Sequence, residues 1–261
     1  MFSIFSSNKD KKETPSQSSL TASADAVCFP DSASLSYMNE LIRGFVHKHN
    51  NLLTVTQGFS DILLSEDHDA GVTESATRIN TSARKAIELN NRVMACATDD
   101  QPTPEQLELV TYLEKRSVSD QKAAQQHGIT INYPTSEVTA PAYVDSAWLQ
   151  IILDELLLNA YESAKEASSP RVEVSATKSS PLDDGSGQFS FLEVRNSGPT
   201  LEPEKLAHIF SPFYTTKGRE YVGIGLTRAA FLACKSNIKL TFTSSADPDG
   251  GNIVHLALPK K

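Results

Sequence analysis

The sequence predicts an α+β protein in two parts: an N-terminal helical hairpin over residues 34–100 that dimerises into a four-helix bundle, and a two-layer α/β sandwich over residues 104–261. The first part carries apolar residues at helical spacing through two long segments, which a polar break at residues 67–71 separates. The second part mixes helical patterns with short segments in which apolar and polar residues alternate, as in strands. A sheet with helices packed on one face would bury the apolar residues of both the helices and the strands.

The composition is that of a globular protein with a sizeable core. Of the 261 residues, 39% are hydrophobic and 21% are charged, and the net charge is −8. This acidic balance, without a long basic block, argues against nucleic acid as a partner. Cys28, Cys96 and Cys234 lack the spacing of a disulfide framework or a zinc site, which favours a reducing, cytoplasmic location. No apolar run reaches the length of a membrane span, so we expect no transmembrane segment.

The N-terminal residues divide into a tail and the hairpin. Residues 1–33 are rich in Ser, Thr and Lys, and we expect them to form a disordered tail. The apolar stripe then predicts one helix over residues 34–65 and a second over 73–97. Two antiparallel helices form only a thin layer and cannot bury the whole apolar stripe. The stripe is wide enough to pack against the same stripe of a second chain. We therefore expect a homodimer.

The stretch WLQIILDELLLNAYESA, residues 148–164, predicts the central helix of the sandwich. Its apolar residues share one face, whereas Glu155, Asn159 and Ser163 follow one another at i, i+4 and i+8 along a different face. These polar residues either border a cleft or form a solvated stripe, and the helix alone favours the solvated stripe. Asp145 is the predicted N-cap.

Other patterns predict the remaining elements of the sandwich. QPTPEQ indicates a linker that leads into a helix over residues 107–127, and Gly128 ends that helix. The predicted strands follow one another in chain order: ITINYP, AYV, RVEVSATKS, QFSFLEVRNS, IKLTFTSS and NIVHLALP. Residues 179–187 make a hairpin loop between two of them.

Three short motifs follow the central helix in order, namely VRNSGP, IFSPFYTTK and VGIGL. Each alone is an ordinary turn, but together with the helix they make residues 106–261 resemble the ATP-binding domain of sensor histidine kinases, a family shared with gyrase and Hsp90 ATPases. A second stretch, FVHKHNNLLTVTQGF, resembles the phospho-acceptor box of the same kinases. Phe210 and Phe213 are then expected to anchor the ATP lid to the core.

The resemblance implies ATP and Mg²⁺ as cofactors and gives roles to the matching residues. Asn159 would coordinate the magnesium ion, His47 would accept the phosphoryl group, and Asn51 would orient the attacking group. Asn196 would accept a hydrogen bond from the adenine amino group, and Gly198 would let the backbone approach the base. The residues expected to face the phosphates are Thr215, Thr216, Lys217, Gly223, Gly225 and Leu226.

Several residues depart from the family pattern. Lys48 stands where an acidic residue usually follows the histidine, and Asn196 stands where aspartate is usual. Thr200 and Tyr221 replace frequent glycines. Glu155 replaces the first asparagine of the helix motif, and this form implies a general base that partly offsets the missing acid beside the histidine.

The implied function is two-component signalling. The chain would be a histidine kinase that phosphorylates His47 with ATP and passes the phosphoryl group to an aspartate on a response-regulator receiver domain. Its input would come from a separate sensor protein or from the N-terminal tail. The alternative is an ATP-inactive histidine phosphotransfer or scaffold protein that relays phosphate between partners, which Lys48 and Asn196 favour. A third alternative is an ATPase that phosphorylates no histidine.

Overall fold

The N-terminal hairpin is present in the computed structural model, which describes residues 20–23, 32–96, 100–134, 139–217, 222–245 and 251–261. Helix α1 spans Ser32–Ser65 and helix α2 spans Ala70–Cys96. Between them, Asp69 Oδ1 accepts a hydrogen bond from Val72 N at 2.9 Å, which satisfies one of the free amides at the start of α2. Within the described residues, no helix combines the length and the apolar character that crossing a bilayer requires.

Small side chains and polar pairs hold α1 against α2. Val46, Ala76 and Ala83 are buried between the helices. Asn90, which is also buried, donates from Nδ2 to Asn50 Oδ1 at 2.8 Å across the pair. The contact between the two helices is therefore narrow, and it leaves much of the apolar surface of α1 uncovered.

The C-terminal part is built on a six-stranded sheet in the order β1-β7-β8-β6-β5-β3. Neighbouring strands are antiparallel except β3 and β5, which are parallel. The strands are β1 (Leu20–Ser23), β3 (Thr130–Asn132), β5 (Arg171–Thr177), β6 (Phe189–Asn196), β7 (Lys239–Ser245) and β8 (Gly251–Pro259). A separate two-stranded sheet pairs β2 (Glu105–Glu108) with β4 (Pro141–Val144).

Helices α3 (Leu109–Gln126), α4 (Ser146–Ala164) and α6 (Gly225–Lys235) pack against the large sheet, and a short helix α5 covers Pro203–Leu206. The apolar face of α4 supplies fully buried side chains to the core, namely Leu149, Ile152, Leu153 and Leu156. This arrangement is the predicted two-layer sandwich. The α+β fold class is therefore confirmed.

The predicted N-cap of α4 is also confirmed. Asp145 Oδ1 accepts from Trp148 N at 3.0 Å, and Oδ2 accepts from Thr103 N at 2.8 Å. Burial acts to raise the pKa of Asp145, but the hydrogen bonds from these backbone amides outweigh it and hold that pKa below its ordinary value. The carboxylate thus ties the segment before β2 to the start of α4.

Two short strands differ from the sequence prediction. Leu20–Ser23, placed in the disordered tail, form β1, because the open edge of β7 offers backbone hydrogen-bonding groups that the pattern of a short polar segment does not reveal. Glu105–Glu108, placed in a linker and helix start, form β2 because β4 pairs with them. The other predicted tail residues up to residue 31, and Tyr221, lie outside the described residues.

Candidate functional site

The polar face of α4 borders a cleft of about 340 Å³. Glu155, Asn159 and Ser163 all line it, so of the two alternatives left open for these residues the structure supports the cleft, and not the solvated stripe that the helix alone favours. The opposite walls come from residues 214–217 and from residues 222–226 at the start of α6. The fold therefore brings three parts of the chain together around one cavity: α4, residues 214–217 (the lid segment) and residues 222–226 (the glycine motif).

The glycine motif is shaped by close backbone contacts. Gly223 has a φ of +70°, and a Cβ placed there would lie 2.4 Å from the carbonyl oxygen of Tyr214. A Cβ on Gly225 would lie 2.9 Å from Glu155 Oε2. Helix α6 begins at Gly225, and its N-cap residue, Ile224, makes no side-chain capping hydrogen bond. The N-terminal end of α6 lies at the cavity, and the backbone amides of a helix N-terminus favour binding of an anion.

Lys217 lies against the polar face of α4. Its Nζ donates to Asn159 Oδ1 at 3.2 Å and to Glu162 Oε2 at 2.6 Å. Its backbone N donates to Thr215 Oγ1 at 3.1 Å, which shapes the lid segment. Thr215, Thr216 and Lys217, all expected to face phosphates, line the cavity together with Asn159.

Glu155 is paired with an arginine that the sequence prediction did not include. Arg228 NH1 donates to Glu155 Oε1 at 2.9 Å, while Arg228 Nε is buried without a hydrogen-bond partner. The pair joins α4 to the first turn of α6. The only sequence signal for Arg228 is a charged residue in the otherwise uncharged run LTRAAFLAC.

Carboxylates accompany the cationic side chains around the cavity. Besides the pairs of Lys217 and Arg228, Arg92 Nε lies 4.0 Å from Glu88 Oε1, and Lys205 Nζ lies 3.1 Å from Glu202 Oε2. Glu88 and Arg92 belong to α2, so the hairpin contributes to the wall of the cavity. A polyanionic ligand would therefore meet cations that already have acidic neighbours.

Asn196 and Gly198 lie behind the cavity wall rather than on it. Asn196 Oδ1 accepts from Gly198 N at 2.9 Å, and a Cβ on Gly198 would lie 2.0 Å from Ser163 Oγ. Asn252, which does line the cavity, donates to Pro199 O at 3.0 Å. The predicted contacts of Asn196 and Gly198 with adenine remain predictions. What the geometry does explain is the need for glycine at position 198.

The two aromatic residues of the lid motif differ in their surroundings. Phe210 is buried, and its carbonyl oxygen accepts from Thr227 Oγ1 at 3.0 Å. Phe213 is 60% exposed and has a φ of +62°. Phe210 thus packs into the core as predicted, whereas the prediction that Phe213 does so is wrong, because its side chain is exposed at a left-handed backbone position.

His47 lies outside the cavity, exposed on α1. Its Nδ1 is 3.5 Å from Asn51 Nδ2, one turn along the helix. Its neighbour His49 contacts Asn90 Nδ2 at 3.1 Å and packs near the ring of Phe45, with the ring centroids 5.4 Å apart. Of the two histidines, His47 is the one with an exposed ring on the hairpin surface.

Comparisons with known proteins agree with this architecture. Residues 144–261 match the family model described as histidine kinase-, DNA gyrase B-, and HSP90-like ATPase. Sensor histidine kinase TmoS of Ectopseudomonas mendocina is 20% identical over 186 residues, which are 71% of this chain and 18% of TmoS. Sensor protein kinase PilS of Pseudomonas aeruginosa is 22% identical over 229 residues, which are 87% of this chain and 42% of PilS. The chain thus spans less than half the length of either relative.

Solved structures share the fold at low sequence identity. Full-length ShkA in complex with AMPPNP matches with a TM-score of 0.63 and 20% identity, over 84% of this chain and 45% of ShkA. Histidine kinase ThkA in complex with the response regulator protein TrrA matches with a TM-score of 0.58 and 17% identity, over 88% of this chain and 64% of that chain.

The glycine motif and all the residues that line the cleft except Glu88 and Arg92 lie within the residues that match the ATPase family model. More particularly, residues 144–261 are similar to the histidine kinase-, DNA gyrase B-, and HSP90-like ATPases, and the two curated relatives described above are sensor kinases.

Proposed function

We propose that this chain is an autophosphorylating histidine kinase that uses ATP, and that His47 is its phospho-acceptor. One observation carries the proposal: Asn159, Lys217 and the N-terminal end of α6 converge on a single cleft beside the hairpin. The AMPPNP complex of ShkA, which has the same fold, supports an adenine nucleotide as the occupant of the cleft. In the reaction the bond between the γ-phosphorus and the bridging oxygen breaks, a bond from phosphorus to a ring nitrogen of His47 forms, and ADP leaves.

Asn51 and Glu155 support the transfer in this proposal. The amide nitrogen of Asn51 lies 3.5 Å from His47 Nδ1, so in this arrangement Nδ1 accepts. In the proposal the amide turns over for the reaction, so that Oδ1 accepts from Nδ1–H and the Nε2 lone pair of His47 is free to attack. Glu155 lies at the cavity with its carboxylate held by Arg228, so it has a fixed position from which to accept a proton. Lys48, beside the acceptor, cannot serve as that base.

Magnesium fits the donor set of the cavity. Asn159 Oδ1 already accepts a hydrogen bond from an ammonium group, so this oxygen is oriented to hold a cation within the cavity. Bound Mg²⁺ would neutralise charge on the phosphates, which the protein cations alone do weakly because each has an acidic neighbour.

The downstream partner in this proposal is a response-regulator receiver domain, whose aspartate takes the phosphoryl group from His47. The ThkA–TrrA complex, in which a kinase of this fold holds a response regulator, supports a partner of this kind.

The autokinase is tested with γ-labelled ATP and Mg²⁺. We expect acid-labile, base-stable label on the wild-type chain and on His49→Gln, and none on His47→Ala, because of these two histidines of α1 His47 is exposed and His49 is half-buried. Labelling of His47→Ala would contradict the assignment. An unlabelled wild type that takes phosphate from a phosphorylated receiver domain would establish the relay instead, and free phosphate without label would establish an ATPase.

The same assay tests Glu155. Glu155→Gln keeps the size of the side chain and a hydrogen-bond acceptor for Arg228 but removes the base. We expect the labelling rate to fall by about 100-fold or more while nucleotide affinity changes little, since general-base catalysis contributes about 10²–10⁴-fold. An unchanged labelling rate would remove Glu155 from the mechanism.

The exposed face of α1 supports a homodimer. Phe45, Leu52, Val55, Phe59 and Ile62 are between 54% and 68% exposed in the single chain. They form two series with a spacing of seven residues, the pattern of a helical bundle seam. A second copy of the chain, related by a two-fold axis, would cover this face with the same face of its own α1.

Light scattering after size-exclusion chromatography tests the homodimer. We expect the wild type to have twice the 28.4 kDa mass of one chain, and Phe59→Glu to have the mass of one chain, because a charge in the seam stays unpaired. The control is Val118→Glu, which changes an apolar residue of α3 that is also exposed but lies outside the seam. A monomeric wild type, or a dimeric Phe59→Glu, would contradict the interface.

A further inference from the structure

Two oxygens from one turn of α4 hold a single cationic group. Asn159 and Glu162 are three residues apart and therefore neighbours on the helix surface. Lys217 Nζ lies 3.2 Å from Asn159 Oδ1 and 2.6 Å from Glu162 Oε2. All three side chains line the cavity. The amide oxygen and the carboxylate thus converge on one point, which an ammonium group occupies.

The position of Glu162 is unfavourable for a cavity that takes phosphates, because a carboxylate repels them. The repulsion is avoided only if Glu162 stays paired with a cation when the ligand is bound. Lys217 cannot easily provide that pairing and also face the phosphates, as it was expected to do. A divalent cation that replaces the ammonium group resolves the conflict, since it binds Glu162 and the phosphates together.

We propose that Asn159 and Glu162 form a two-oxygen half-site for the divalent cation that accompanies the nucleotide, and that Lys217 fills this half-site with its ammonium group in the nucleotide-free chain. Glu162 is then a direct ligand of the metal. Release of Lys217 frees its charge for the phosphates. The inference rests on the proposed nucleotide binding, and it adds a metal ligand and an exchange of cations to it.

The half-site should be weak without nucleotide. Hard divalent cations are held by several oxygens, and Mg²⁺ is usually bound through one or two protein ligands plus phosphates and waters. Within the part of the chain that the structure describes, no cluster of three or more His, Cys, Asp or Glu side chains is placed to hold a metal. The competing ammonium group weakens binding of the free metal further.

Electron paramagnetic resonance of Mn²⁺ tests the exchange without any activity measurement. In the absence of nucleotide, we expect Lys217→Met to bind Mn²⁺ at least about five-fold more tightly than the wild type, because the competing cation is gone. Lys217→Met/Glu162→Gln should lose that gain. The control is Lys205→Met, since Lys205 also lines the cavity but pairs with Glu202, and its Mn²⁺ affinity should equal that of the wild type.

Calorimetry with Mn²⁺ and AMPPNP tests Glu162 as a ligand. Loss of even an outer-shell partner of a metal ligand typically costs 10–100-fold in affinity, so we expect loss of a direct ligand in Glu162→Gln to weaken binding of the metal–nucleotide complex by at least about 10-fold, with the far-ultraviolet circular dichroism unchanged. Wild-type affinity in Glu162→Gln would overturn the ligand assignment. Unchanged Mn²⁺ affinity in Lys217→Met would overturn the exchange.

These results separate the inference from the proposed function. If the wild type binds no AMPPNP with or without Mn²⁺, the nucleotide-binding proposal fails. In that case a gain of Mn²⁺ affinity in Lys217→Met, lost again in the double variant, would still establish the half-site.

Discussion

Gly223→Ala is expected to weaken nucleotide binding by roughly 30-fold or more. The added Cβ would lie 2.4 Å from Tyr214 O and 2.7 Å from Tyr214 C, which are backbone atoms and cannot turn away. The φ of +70° adds about 1–2 kcal/mol of strain for any L side chain, and overpacking adds about 1–3 kcal/mol. The glycine motif and the lid segment would separate to relieve this clash. Isothermal titration with AMPPNP and Mg²⁺ measures the loss.

The matched control for this variant is Gly185→Ala. Gly185 has nearly the same φ, +72°, but no atom lies within 4 Å of a Cβ placed there. It belongs to the loop between β5 and β6, outside the cavity. We expect Gly185→Ala to lower the free energy of unfolding by about 1–2 kcal/mol and to leave nucleotide affinity unchanged. Equal affinities in the two variants would show that backbone contact at Gly223 does not shape the site.

Arg116→Met is expected to cost about 3–5 kcal/mol of stability, the range found when one partner of a buried ion pair is removed. Arg116 Nε donates to Asp120 Oδ2 at 2.7 Å, and these side chains are only 9% and 7% exposed. Arg116 also pairs with Asp154 of α4, and the hydroxyl group of Tyr133 donates to Asp120. Without Arg116 the carboxylate of Asp120 would remain buried and uncompensated. Urea unfolding measures the change.

The exposed pair of Arg78 and Glu74 provides the comparison. It has the same i, i+4 spacing and the same 2.7 Å distance, but its side chains are 79% and 65% exposed. We expect Arg78→Met to cost less than about 0.5 kcal/mol. Arg116→Met/Asp120→Leu, which removes both charges, should be more stable than Arg116→Met alone. An equal loss of stability in Arg116→Met and Arg78→Met would show that burial does not increase the contribution of the Arg116–Asp120 pair to stability.

The parts of the fold that the sequence predicts well depend on local patterns. Helix α4 follows from its apolar spacing and from Asp145, whose side chain needs no distant partner to cap it. The stripe of Glu155, Asn159 and Ser163 is likewise a property of one helix. The helix alone does not show whether this stripe faces solvent or a cleft. The motifs that follow it in the sequence indicate a cleft, because they supply the opposite wall of the cavity.

The features that the sequence did not predict depend on distant partners. Strands β1 and β2 have patterns too short to specify a strand, and they exist because β7 and β4 offer them an edge. Arg228 belongs to the site because it pairs with Glu155, which lies 73 positions earlier in the chain. The outward orientation of Phe213 is set by a left-handed backbone conformation that residue type alone would disfavour.

The place of Arg92 and Glu88 in the cavity wall has a thermodynamic consequence. Because these residues belong to α2, any protein that binds the hairpin and displaces α2 must change the affinity of the cleft for its ligand. By reciprocity, the ligand changes the affinity of that protein for the hairpin by the same factor. Binding of a regulator to the helices and binding of a small molecule to the cleft would therefore be coupled, although the two ligands do not contact each other.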